Sequence, residues 1–167
     1  GVTGKVILSG TASTYRDTYA VVGTLALGAG NALPTANTLF IGNTSNQGTA
    51  TFDLNGFDQQ INVLNSVTAA SSNTMVVKVT NSSSTASTLT VNSGTFGGTL
   101  SGNFGIVKNG TSALTLSDAG GNATNSYTGL TTINAGSIVI SKSTALGSTA
   151  AGTTVASGAA LVLGGSV

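Results

Sequence analysis

Short runs in which apolar and polar positions alternate, each closed by Gly, Asn or Ser, recur along the whole chain. The series starts with "KVILSG" (5–10), "VVGTLALGAG" (21–30), "NTLFIGNTS" (37–45), "GTATFDLNG" (48–56), "TMVVKVTN" (74–81) and "STLTVNSG" (87–94). It continues through "SALTLSDAG" (112–120), "TTINAGSIVISKS" (131–143) and "TTVASGAALVLGG" (153–165). A period of two followed by a turn residue predicts one strand of about four to six residues per run. No window carries a 3.6-residue apolar period over a helical length. Short, regularly spaced strands of this kind fit a sandwich, a barrel or a solenoid.

Internal similarity favours the solenoid. "VILSG" and Tyr19 resemble "LTLSD" and Tyr127, with Leu8 and Tyr19 both 108 residues before Leu116 and Tyr127. "VGTLALGAGNAL" (22–33) resembles "AGSIVISKSTAL" (135–146), with Gly23 on Gly136 and Leu33 on Leu146, 113 apart. Residues 1–167 thus read as one β-helical domain, a section or subunit of a longer solenoid. Its large repeat is about 110 residues, with copies beginning near 5 and 113. Within that unit, aliphatic-x-aliphatic followed by Gly or Asn recurs at intervals suited to coils of about 20–25 residues. The predicted fold is all-β, a right-handed parallel β-helix with short strands and Gly/Asn/Ser corners. Inward Val, Leu, Ile, Ala and Thr would stack coil on coil, and seven or eight coils at about 4.8 Å each make a rod of about 35 Å. Tyr19 and Tyr127, at matching points of the two copies, are expected to cover the same apolar corner.

Composition agrees and narrows the functional field. Charged residues are 5% of the chain, net charge is +1, mean hydropathy is +0.33, and 24 residues are Gly. Disordered chains combine low hydrophobicity with high net charge, which this chain lacks. Its polarity is mostly Ser, Thr and Asn, and its apolar residues are largely β-branched or Leu, which suits pleated surfaces. Five Lys/Arg spread along the sequence make no nucleic-acid footprint. No apolar run is long enough for a membrane span. No basic segment followed by an apolar one marks a signal peptide in a chain that begins "GVTGKVILSG". Without cysteine there is neither a disulfide framework nor thiol chemistry.

Residues 110–163, "GTSALTLSDAGGNATNSYTGLTTINAGSIVISKSTALGSTAAGTTVASGAALVL", resemble the autotransporter-associated β-strand repeat. Leu114 and Leu116 stand at its strand positions, Tyr127 and Gly129 at its first turn, and Asn134, Ala135 and Gly136 at its second. "TATFDLNGFDQQINVL" (49–64) resembles the segment found between such repeats, with Asp53, Asn55, Gly56 and Phe57 in place. The first copy, 5–33, is degenerate, since "STYRDTYAVVG" replaces the tyrosine–threonine–glycine turn. The resemblance implies a β-helix in a secreted or surface-attached setting in a Gram-negative or related bacterium.

Residues for catalysis are scarce. The chain has no histidine and no glutamate, and its acids are Asp17, Asp53, Asp58 and Asp118. Asp53 and Asp58 are the one near pair; glycoside chemistry needs two carboxylates within reach of one bond. Across "LNGF" they are expected on different sides of a turn, one capping backbone and one solvated. Asp17, or Asp118 with Asn122, offers too few oxygens for calcium, and the calcium-roll signature is absent. No GxGxxG or Walker motif occurs. The expectation is therefore no catalytic residues, no cofactor and no metal. Tyr15, Arg16 and Asp17 form the densest polar and aromatic cluster and the candidate surface contact; the plainer account is a loop closed by an Arg–Asp pair. Phe52, Phe57, Phe96 and Phe104 are expected to pack at corners or inside. Tyr19, Tyr127, Gly129, Asn134, Gly136, Asn55 and Gly56 are the expected structural repeat positions.

An open β-helix end exposes unpaired backbone groups and a slice of core. The chain reads as uncapped, and "GGSV" followed by "GVTGKVILSG" resembles an ordinary connection between coils. The expected partners are copies of itself or adjoining repeats end to end, with lateral self-association tolerated by near-zero charge. The expected role is structural, as part of an extracellular fibre, stalk or layer. The alternative is an adhesin passenger that binds a host protein or glycan through residues 11–20 or 65–74.

Overall fold

The computed structural model describes residues 4–44, 47–67, 75–117 and 124–165. Along the chain the strands fall into successive rungs. The first two rungs hold β1 (Lys5–Leu8), β2 (Asp17–Ala20), β3 (Gly23–Leu27) and β4 (Thr38–Ile41). The next two hold β5 (Gly48–Asp53), β6 (Gln59–Ser66), β7 (Met75–Asn81) and β8 (Ser87–Phe96). Then come β9 (Thr99–Gly102), β10 (Phe104–Lys108) and β11 (Ala113–Leu116), followed by β12 (Ser126–Tyr127), β13 (Thr131–Ile133) and β14 (Ser137–Ile140). β15 (Thr153–Val155) and β16 (Ala160–Leu163) close the series.

Every strand pairing is parallel and joins one rung to the next, which makes the molecule a right-handed parallel β-solenoid. β1-β3-β5-β7-β9-β12 form the first face. The second face is built from β15, β13, β10 and the first halves of β8 and β6; the third runs through β2, β4, the second halves of β6 and β8, then β11, β14 and β16. Coil length is less uniform than the sequence spacing predicts. Ser87 pairs with Phe104 and Gln59 with Leu89, so a coil closes in 17 to 30 residues. The run at 87–94 also does not end at its glycine: β8 passes through Gly94 and bends onto a second face.

The inner rows are continuous columns of apolar side chains. Leu25, Phe52, Val79 and Leu100 stack on the first face, and Leu64, Gly94, Leu114 and Ile138 on the third. Phe52, Phe96 and Phe104 are buried as expected, whereas Phe57 lies on a turn and is exposed. The column Ile61, Val91, Lys108, Ile133 holds a lysine where alternation places an aliphatic residue. Lys108 is fully buried, and its Nζ donates to the carbonyls of Gly110 and Ala135 at the corner. Burial lowers its pKa from the usual lysine range. Directly outside, Asn62, Asn92, Asn109 and Asn134 share one register. Asn92 Nδ2 donates to Asn62 Oδ1 (3.2 Å) and Asn134 Nδ2 to Asn109 Oδ1 (2.8 Å), which ties the bend from rung to rung.

The two tyrosines do not share a corner. Tyr19 is 63% exposed on the outside of β2, stacked on Phe40 one rung on (centroids 4.9 Å apart). Tyr127 is fully buried in β12, stacked on Phe104 and hydrogen-bonded to Thr131 Oγ1 at 2.6 Å. Tyr19 faces out on the third face and Tyr127 faces in on the first, so similar sequence there serves opposite sides of the wall.

Burial pushes the Tyr127 phenol up to about 12, only partly offset by the Thr131 bond. In the unfolded chain the phenol ionises near its ordinary 10.0, so alkali favours unfolding. The Tyr127 contribution to stability is therefore expected to be level below pH 10 and to fall between about pH 10 and 12, by up to about 3 kcal/mol. Urea titrations of the chain and of Tyr127→Phe across this range check it: the variant should lose this component of the alkaline decline.

Candidate functional site

Two regions depart from a closed, self-satisfied wall: the end rungs, and a cleft near the first rung.

At the ends, strands with one partner carry core positions into solvent. Phe96, Leu116, Ile140 and Leu163 occupy one inner column. Leu116 is 1% and Ile140 6% exposed, but Leu163 in the last rung is 68% exposed. Val155 ends the column of Ile133 in the same way. At the other end Val6 shares a column with Leu25 and Phe52, and is 58% exposed where Phe52 is fully buried. Among the described residues β1, β2, β15 and β16 each pair on one side only. Each therefore presents a free edge of backbone donors and acceptors beside an uncovered slice of core.

The cleft lies where the second face has no strand. Residues 9–16 and 28–37 cross it as irregular segments of the first two rungs. Gln59, buried at the head of β6, substitutes its side chain for the missing strand partner. Its Oε1 accepts from Leu33 N and its Nε2 donates to Leu33 O, both at 3.0 Å. Asn31 is held by its N–H on Asp58 O (2.9 Å) and by its Oδ1, which accepts from Gln60 N (2.8 Å). Asn37 N donates to Pro34 O and Thr38 N to Arg16 O, both at 2.9 Å. These bonds fix the walls of a cavity of about 450 Å³, with Tyr15 and Arg16 in its lining. Asp17 does not line it; it stands at the start of β2 on the outer row shared with Thr38. The expected Arg16–Asp17 pair is absent among the described residues, where the ion pair is Lys5–Asp53 at 3.7 Å.

The other sequence-predicted positions are structural. Asp53 is almost fully buried: its Oδ1 accepts from Asn55 N and Ser82 N, and its Oδ2 accepts from Ser82 Oγ at 2.7 Å. Asp58 is exposed, and its Oδ1 caps Thr88 N at 2.7 Å. Both carboxylates are engaged by backbone N–H groups of the next rung. Asn55 (φ 49°) and Gly56 (φ 86°) make the turn between them, with Asn55 Nδ2 donating to Leu27 O. Gly129 presses against the previous rung, where a Cβ would lie 2.6 Å from Phe104 O. Gly136 has φ 64° and turns the chain into β14. Asp118, Asn122 and residues 68–74 lie outside the described residues. Among those described there is no group of three or more His, Cys, Asp or Glu, and no helix long and apolar enough to cross a membrane.

Sequence reasoning missed Gln59 and Lys108. Polar residues at inward-phased positions of a strand are the signal that marks them. The chain matches no protein-family model, no curated protein and no solved structure.

Proposed function

We propose that this chain is a structural section of an extracellular bacterial fibre, stalk or surface layer, and that it extends by stacking rung on rung at its ends. The observation that carries the reading is the exposure of core columns at both ends, at Leu163 and Val6. A further parallel rung would pair free edges and cover these side chains; between two copies the strand-on-strand match is β16 on β2, while the irregular segments 9–16 and 141–152 meet β15 and β1. In such a stack β16 of one copy meets β2 of the next on the third face, so that inward Leu161 and Leu163 come against the smaller inward residues Thr18 and Ala20. Head-to-tail contacts that do not close by rotation give open filaments. The surface setting rests on the resemblance of residues 110–163 to autotransporter-associated repeats. No catalytic role is assigned, since Asp53 and Asp58 are both committed to backbone.

Negative-stain imaging of the chain over a range of concentrations tests the reading. Rods that lengthen with concentration at constant width support it. Lone short rods at every concentration overturn it.

A further inference from the structure

We propose that the cleft between residues 11–16 and 31–36 is a binding site for a saccharide unit that carries a carboxylate, such as a uronic or sialic acid. The proposal does not rest on end-to-end stacking: the cleft and the bonds that shape it are complete in the single chain, with residues 11–16 in the first rung and 31–36 in the second.

Three features point to this ligand. The first is charge. Arg16, the chain's sole arginine, is exposed in the cleft lining, and among the described residues its guanidinium has neither an ion-pair nor a hydrogen-bond partner. Among the described residues no carboxylate lines the cavity. A planar fork of donors with no internal partner is matched by a carboxylate, which takes two parallel hydrogen bonds. The second is the mixture of surfaces. Tyr15 is 41% exposed and lies with Pro34 and buried Leu33 on the apolar part of the lining, while Ser13 and Thr35 contribute hydroxyls. A pyranose ring offers the same mixture: a C–H face for an aromatic or pyrrolidine ring, and hydroxyls at its rim. A volume of about 450 Å³ lies within the usual range for small-ligand sites.

The third feature separates a saccharide from a peptide. Peptides that dock on β structures usually add a strand and need free backbone donors and acceptors. Here the groups along the inner wall are already engaged: Leu33 N and O are both held by Gln59, Arg16 O accepts from Thr38 N, Pro34 O accepts from Asn37 N, and Asn31 N donates to Asp58 O. The charged and aromatic side chains of Arg16 and Tyr15 are what the lining adds. The same bonds hold the walls in place before any ligand arrives, which lowers the ordering cost of binding.

Saturation-transfer difference NMR on the whole chain tests the site, with four probes: glucuronic acid, sialyl-lactose, neutral lactose, and a short peptide with a free C-terminal carboxylate. The expected result is transfer to ring protons of the two acidic sugars and none to lactose or the peptide. Arg16→Gln should weaken acidic-sugar binding about tenfold or more, the usual scale for a lost charge-assisted pair. Tyr15→Ala should weaken it as well, while Tyr19→Ala, outside the lining, should bind as the parent does. Far-UV circular dichroism on each variant confirms that the β content is unchanged. No transfer from any probe, equal transfer to lactose, binding of the peptide alone, or an Arg16→Gln chain that binds as the parent would each overturn the assignment.

Discussion

A Val6→Lys chain and a Leu163→Lys chain, each unable to elongate alone, are expected to form one-to-one pairs when mixed. The reason is that the two ends are different surfaces. One carries β1 and β2 with Val6 uncovered; the other carries β15 and β16 with Leu163 and Val155 uncovered. A contact between unlike ends is heterologous, so every copy needs both ends intact to sit inside a filament. A lysine at either position would have to enter an apolar column without a counter-charge, and an ionised group buried in that way is strongly disfavoured. Both positions are largely exposed in the single chain, so neither change should unfold it. Val6→Lys keeps a working second end and Leu163→Lys a working first end, so one good joint forms per pair and growth then stops. Mass photometry should show single chains for each variant and a doubled mass for the mixture. If like ends paired instead, each variant would dimerise by itself through its intact end, and mixing would add nothing. That result would reject head-to-tail stacking.

The wall of this solenoid was legible because its pattern is local. Alternation in "ALTL" or "SIVI" and a glycine or asparagine at the corner need no knowledge of neighbouring rungs, and β11 and β14 fall where those runs predict. What was not legible depends on register between rungs. "FGIVK" reads outward at its lysine by polarity, yet phase with Phe104 and Ile106 turns Lys108 inward, where carbonyls of two rungs receive it. Gln59 looks like a surface residue until the missing strand in the preceding coil supplies Leu33 as its partner. The same limit separates Tyr19 from Tyr127, since similar neighbours in sequence do not say on which side of the wall a ring lies. For the candidate site, the sequence located Tyr15 and Arg16 by their density of polar and aromatic groups. The cavity itself is a product of residues 31–36 and could not be seen from one segment.

Gly94→Ala is expected to be the most damaging single methyl that can be added to this chain's described glycines. Gly94 lies within β8, in the inner column between Leu64 and Leu114, with φ at 138°. A Cβ built there would sit 2.0 Å from Leu64 O and 2.8 Å from Leu64 C and N, all backbone atoms. β6 cannot move aside cheaply, because Leu64 is paired with Leu39 on its other edge and with Gly94 on this one. The backbone conformation costs roughly 1–3 kcal/mol for a residue with a side chain, and forcing apart a packed layer costs a similar amount. Together they predict a loss of about 4 kcal/mol. Two further substitutions separate these causes. Gly158 has φ at 83° with none of the described residues within 4 Å of the added carbon, so Gly158→Ala should show the conformational cost alone, about 1 kcal/mol. Gly152 also has open space among the described residues and no such φ, so Gly152→Ala should be neutral or slightly stabilising through the unfolded chain. Because a solenoid is held by contacts between adjacent rungs, damage at β6–β8 should also broaden the unfolding transition as the two sides of the break separate. Guanidinium titrations followed by circular dichroism give both quantities. A Gly94→Ala midpoint no lower than that of Gly158→Ala would mean that the rungs can part at little cost, contrary to the tightly stacked wall from which the end-to-end reading is built.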